Sequence, residues 1–202
     1  MEHLDYLLAG ALGLALAACS GFRVFVPLLA ASLAYRTGYL TPSVGFAWLG
    51  TWPAVAVLGT ATVAEILGYY LPVVDNVLDT ITGPAAFLAG TILMTSALPD
   101  MPPVLRWGLG VLVGGGTAGI IQTGTSLLRA GSTVTTAGLG NPVLATVENL
   151  LAIVGAALGL LLPLLVAALA VGTVVWVLVR LRRWRQRRAV RRGGLPAAGG
   201  LE

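Results

Sequence analysis

The sequence predicts an all-α fold, a polytopic bundle of transmembrane helices with broken or re-entrant segments and a candidate internal repeat. Three observations carry that expectation. Of the 202 residues, 57% are hydrophobic and only 10% charged, with a mean hydropathy of +0.90. Soluble domains carry about 25% charged residues, so this chain could not cover a surface facing water. Several apolar runs approach or exceed the ~20 residues that a helix needs to cross the hydrocarbon core. Helix formers dominate, without the polar/apolar alternation of barrel strands.

Residues 4–19 form the first apolar segment and end at the small, polar break "CSGFR". "LAAC" before Ser20 has the form of a lipoprotein cleavage box. Glu2 and Asp5, however, stand where a signal peptide needs positive charge, so the segment is expected to be a retained helix with Cys19 as a packing residue. Residues 24–35, "VFVPLLAASLAY", follow, with Pro27 near the start where its missing N–H costs little. Residues 36–53 are expected as a loop whose Tyr39, Trp48 and Trp52 suit the headgroup belt. A helix over 53–71 carries Glu65 in its second half. "PVVDNVLDTITGP", residues 72–84, is expected to break it, and Pro84 to open a helix that runs to about Leu98. After "PDMPP", residues 104–128 form a long glycine-rich segment.

"RAGSTVTTAGLGNP", residues 129–142, then reads as a break in the helical wall. Gly131, Gly138 and Gly140 permit non-helical angles. Ser132, Thr133, Thr135 and Thr136 supply hydroxyls, and Asn141 can cap the helix that Pro142 begins. The apolar run from Pro142 to Val179 has 38 residues, close to 57 Å as one helix at ~1.5 Å per residue. A kink at Pro163 is the preferred solution to that excess length.

Residues 59–94 and 116–151 resemble each other. Both place Gly-Thr-Ala in a helix, then a break, then a small residue and proline opening the next helix. Paired units of this kind are a pointer to transporter-like repeats, and residues 14–27 echo the first part faintly.

All twelve basic residues are arginine, and eight of them lie between Arg180 and Arg192. The chain thus divides into a transmembrane domain, 1–179, and an Arg-rich tail, 180–202, expected to be partly disordered. "RLRRWRQRRAVRR" after an apolar run is the positive-inside signature, which places the C-terminus in the cytoplasm and offers a surface to anionic lipid headgroups. The basic balance belongs to this tail and implies no nucleic-acid partner. One cysteine and one histidine, His3, leave no disulfide framework, no Cys/His metal cluster and no Ser-His or Cys-His pair inside the membrane. Walker, zincin and nucleophile-elbow motifs are missing, so no catalytic residue and no cofactor is expected, and a metal is left undecided.

Charges inside a membrane are costly and mark functional sites by default. Arg23, Glu65, Asp75, Asp79, Arg129 and Glu148 are the candidates, with Ser132, Thr133, Thr135 and Asn141 of the polar stretch. Asp75 and Asp79, four apart, share a face if their segment is helical, as a surface piece or one folded between spans. Arg23 and Arg129 each follow a polar break, "CSGFR" and "GTSLLR", and carry planar forks suited to a carboxylate or phosphate.

"SGFRVFVPLL", "PVVDNVLDTITGP" and, above all, "RAGSTVTTAGLGNPVLATVE" resemble a family of bacterial membrane proteins known as domain of unknown function 4126, over roughly residues 5 to 180. The resemblance implies a small multi-pass protein of the bacterial inner membrane and raises Arg23, Glu65, Asp75, Asp79, Asn141 and Glu148 as a shared site. It implies no activity. The residues themselves favour a transporter or channel for a small solute or ion, with a water-accessible cavity around Glu65 or Glu148 near the bilayer midplane. A structural protein that forms homo-oligomers or supports a partner is the alternative, and an intramembrane lipid-modifying enzyme the third.

Overall fold

A computed structural model describes the backbone of residues 2–193, with the side chains of residues 2, 72, 73, 75, 76, 79, 181 and 184–193 left aside. Its described residues form helices and no strand: α1 Glu2–Ser20, α2 Phe25–Arg36, a 3-10 turn Ala47–Gly50, α3 Trp52–Gly68, α4 Pro72–Ala97, α5 Pro103–Leu109, a π-helical turn Gly110–Gly115, α6 Gly116–Thr136, α7 Asn141–Leu161 and α8 Pro163–Gly193. Five stretches are long and apolar enough to cross a membrane: α1, the second part of α4, the continuous Pro103–Thr136, α7 and the first part of α8. The apolar helices α2 and α3 are shorter.

The packing fixes the direction of each helix. Gly13 of α1 lies against Met94 and Ala97 of α4, while Ser20 reaches Ala86, so α1 and α4 run antiparallel. Down α4, Thr95, Phe87 and Thr82 meet Gly110, Gly119 and Gln122 in turn, so α5–α6 is antiparallel to α4. On α7, Gly159, Gly155 and Asn149 meet Ala15, Cys19 and Arg23 in turn, antiparallel to α1. The pairs α1–α2, α3–α4 and α6–α7 are therefore hairpins that all turn at one end of the bundle. We call this the arginine end, because α8 finishes there. The other is the far end. The two segments that resemble each other in sequence fall on the second and third hairpins, which run the same way.

Four elements differ from the sequence expectation. Residues 72–84 do not break the wall: α4 is one helix of 26 residues with Pro84 inside it. Proline forfeits one i→i−4 bond, but Ala86 and Ala89 just beyond it are buried in the core, and that packing holds the helix together. Residues 129–136 likewise stay helical, because glycine permits a break without imposing one. The turn comes only at 137–140, where Ala137 (φ 52°) and Gly138 (φ 85°) adopt left-handed backbone. Asn141 is the first residue of α7 and does not cap it; Gly140 holds the cap position with no side-chain bond.

The fourth difference is at Pro163. Leu162, disfavoured as helix by the proline after it, takes φ −134° and ψ 62°, and the chain turns back. Ala170 packs with Ala18 and Ile121, Val174 joins that cluster, and Val177 lies against Gly124, so α8 runs parallel to α1 and antiparallel to α7. The 38-residue run is a hairpin of two spans rather than one kinked helix. At its end α8 stays helical through the arginines to Gly193.

The core lies between α1, α2, α4, α6 and α7, where Leu16, Leu28, Leu93, Ala31 and Ala89 pack together. Backbones touch at its tightest contact: a Cβ on Gly90 would sit 2.6 Å from the Gly114 carbonyl oxygen. Such approaches are how helices associate where no hydrophobic force separates protein from lipid. Outward-facing Leu112, Val134, Leu161 and Trp176 are exposed, as lipid contact requires.

Candidate functional site

The three hairpins bring their polar residues together near their turns. Arg23, in the α1–α2 turn, is buried and points along α7. Its Nε donates to Asn149 Oδ1, its Nη2 donates to the Ala145 carbonyl at 3.1 Å, and its Nη1 lies 3.4 Å from Glu148 Oε2. Arg129, on α6, donates through Nε to Glu148 Oε1 at 3.3 Å and through Nη2 to Glu148 Oε2. One carboxylate thus serves two guanidiniums. Both guanidiniums also lie on the ring of Tyr69, at 3.8 Å and 4.0 Å from its centroid. A desolvated cation on an aromatic face gains about 2 kcal/mol, so Tyr69 offsets part of the cost of burying two charges.

A second layer fixes these groups. The Tyr69 hydroxyl donates to Thr82 Oγ1 at 3.1 Å, and Gln122 Nε2 donates to the same oxygen at 2.9 Å. Asn149 Nδ2 donates to the Tyr70 hydroxyl, which pairs in turn with Thr146. Glu65, buried one turn before Tyr69, makes a different contact. Its two oxygens accept from the backbone N–H groups of Val24 and Phe25, at 2.8 and 3.0 Å. It is the acidic cap of α2, set where the helix leaves N–H groups without partners and where its dipole favours a negative charge.

Of the residues that the sequence singles out, Arg23, Arg129 and Glu148 meet, and Glu65 stands beside them. Asp75 and Asp79 lie in the first turns of α4, at the same end; their side chains are outside the described residues. Ser132, Thr133, Thr135 and Asn141 are not part of the cluster. They sit on the outer end of the α6–α7 hairpin, where Asn141 Nδ2 donates to Thr133 Oγ1 at 3.1 Å and the Thr135 hydroxyl donates back to the Gly131 carbonyl. The sequence reasoning missed Tyr69, Gln122 and Asn149. Two had a signal: Tyr69 follows Glu65 by four positions and Gln122 precedes Arg129 by seven, spacings that share a helix face. Asn149 adjoins Glu148 and had none of its own.

The sequence leads to the expectation of a cavity around Glu65 or Glu148. Both side chains are buried and held, and neither lines any of three cavities among the described residues. Nor is the cluster central, for Glu148 lies about 10 Å along α7 from its first residue. Glu148 is taken up by the two arginines, and Glu65 by the backbone of α2. The largest of the three cavities, about 920 Å³, opens at the far end beside Asp5, Tyr35, Tyr39 and Asp100. No group of three or more His, Cys, Asp or Glu among the described residues could hold a metal ion.

Long apolar helices joined by tight turns around a buried Arg–Glu cluster define a multi-pass helical membrane protein. The chain belongs to the family described as domain of unknown function DUF4126, whose model matches residues 11–183. No curated protein and no solved structure matches it.

Proposed function

We propose that the protein carries a small anionic solute or ion across the membrane, with Arg23 and Arg129 as the binding groups and Glu148 as the carboxylate that they hold in the closed form. One observation carries this reading: two guanidiniums from different hairpins converge on a single carboxylate in the interior. A substrate carboxylate or phosphate presents the same oxygens to the same two forks, so it can take the place of Glu148 without leaving a buried cation unpaired. Tyr69 keeps both arginines in place during the exchange.

The cavity of about 920 Å³ supplies the entrance at the far end. It shares α1, α2, α4 and α7 with the region of the cluster, and the apolar residues Leu16, Leu28 and Leu93 lie between the two. From Leu160 at the cavity to Glu148 the separation along α7 is about 18 Å, so transport requires these helices to part. By the positive-inside rule the arginine end is cytoplasmic. The helical continuation of α8, with Arg182 and Arg183 exposed, supports a contact with anionic headgroups there. Uptake of chloride, phosphate and acetate into vesicles containing the purified protein tests the proposal. Wild-type flux above that of empty vesicles, abolished by Arg129→Gln and altered by Glu148→Gln, is expected. Flux equal to that of empty vesicles for all three anions overturns it.

A structural role is the second reading, favoured by the backbone contact of Gly90 with Gly114 and by the mutual pairing within the cluster. In that case Glu148→Gln lowers stability and leaves no flux to change, and the protein purifies as a defined oligomer or with a defined partner.

A further inference from the structure

A narrow groove of about 500 Å³ runs between α2, α3 and α7 on the outer surface of the bundle. It extends along α2 from Val26 to Thr37, a length of about 17 Å. Its floor is made of small residues, Ala30 and Ala34 on α2 and Ala156 on α7. The hydroxyls on its walls each donate to a backbone carbonyl. Thr62 donates to the Leu58 carbonyl, Thr37 to Leu33 and Tyr39 to Leu160. The groove therefore presents hydrocarbon along its whole length.

Its length matches one leaflet, half of the ~30 Å hydrocarbon core. Next in the chain to Thr37, which lines the far end of the groove, is Arg36, the last residue of α2, exposed and lying over the Trp52 ring at 4.9 Å. Among the described residues no carboxylate lies within salt-bridge range of this guanidinium. Tyr39, Trp48 and Trp52 are exposed at the same end, as residues at headgroup level are.

We infer that the groove holds one acyl chain of a phospholipid of the far-end leaflet, with the lipid phosphate against Arg36. This site is separate from the charged cluster and from the Arg-rich tail, and it is on the opposite face of the membrane from that tail.

The test uses the full-length protein in vesicles of equal parts phosphatidylcholine and phosphatidylglycerol, doped with phosphatidylglycerol that carries a photoreactive group in its acyl chain. After illumination, peptide mass spectrometry locates the adducts. Adducts are expected to concentrate on Ala30, Ala34, Ile153 and Ala157, above the level on the lipid-facing Val171 and Val175 of α8. Ala157→Trp, which fills the groove, should reduce them to that level while leaving the α8 adducts unchanged. Should that variant fail to fold, Ala30→Leu narrows the same groove with a smaller side chain. Arg36→Gln should lower groove labelling about fivefold, the effect of one basic residue at an anionic surface. Groove labelling no higher than on α8, labelling that survives both filling variants, or crosslinks across the groove to a second copy of the chain would each overturn the inference.

Discussion

Arg129 and Glu148 face each other across the hairpin of α6 and α7, guanidinium edge to carboxylate edge, through Nε with Oε1 and Nη2 with Oε2. Each lies seven residues from the turn that separates them, so the two helices present them at one depth. Arg23 joins from another hairpin and ties α1 to the same oxygen. Three parts of the chain are thus fastened at one point inside the apolar bundle.

Glu148→Gln strips the shared negative charge from two buried arginines. Breaking a buried pair from one side costs about 3–5 kcal/mol, and a lower melting temperature in detergent is the expected outcome. The double variant Arg129→Leu with Glu148→Leu should recover part of that loss, since it leaves fewer buried charges uncompensated. If the double variant is no more stable than the sum of its parts, the two residues are not coupled as described.

Tyr69→Leu removes the aromatic face from both guanidiniums and the hydroxyl from Thr82. The expected loss is about 2 kcal/mol for the cation contacts and about 1 kcal/mol for the hydrogen bond. Tyr69→Phe should lose only the second part, and denaturation of the two variants side by side separates the contributions.

Glu65→Gln replaces the carboxyl cap of α2 with an amide whose one oxygen can accept only one of the two backbone hydrogen bonds. A loss of about 1 kcal/mol is expected from the helix dipole and cap together, less than for Glu148→Gln. A larger effect for Glu65 than for Glu148 would show that its charge is used for more than capping.

Gly90→Val sets two methyl groups against the backbone of Gly114, where even a single Cβ would be 2.6 Å from the carbonyl oxygen. Overpacking of this kind costs about 1–3 kcal/mol. Gly116→Ala, with nothing within 4 Å of an added Cβ, is the matched control and should be nearly silent in the same melting assay.

The hairpin directions place residues 137–140 and the Val44 loop on opposite faces. In a Cys19→Ser background, Leu139→Cys should react with an impermeant thiol reagent from the cytoplasmic side and Val44→Cys from the other side only. Both labelled from one side would overturn the topology.

By itself the sequence determined the class and the parts. Composition and the length of the apolar runs settle a helical membrane protein, because burial in lipid depends on side-chain hydrophobicity summed over a span and not on contacts. The candidate charges were also legible, since an ionised group in an apolar run is conspicuous wherever it points. Helix breaks were not. Whether Pro84, Gly131 or Pro163 interrupts a helix depends on the packing around each, and local propensity gave the same signal for one that is absorbed into α4, one that stays helical and one that reverses the chain. Nor could the sequence say that Glu65 caps a helix while Glu148 binds two arginines. Their settings in apolar runs look alike, and only the order in which the hairpins pack decides which carboxylate meets which cation. The tertiary structure made that choice, because a buried charge is stabilised by the partners that folding brings within a few ångströms of it.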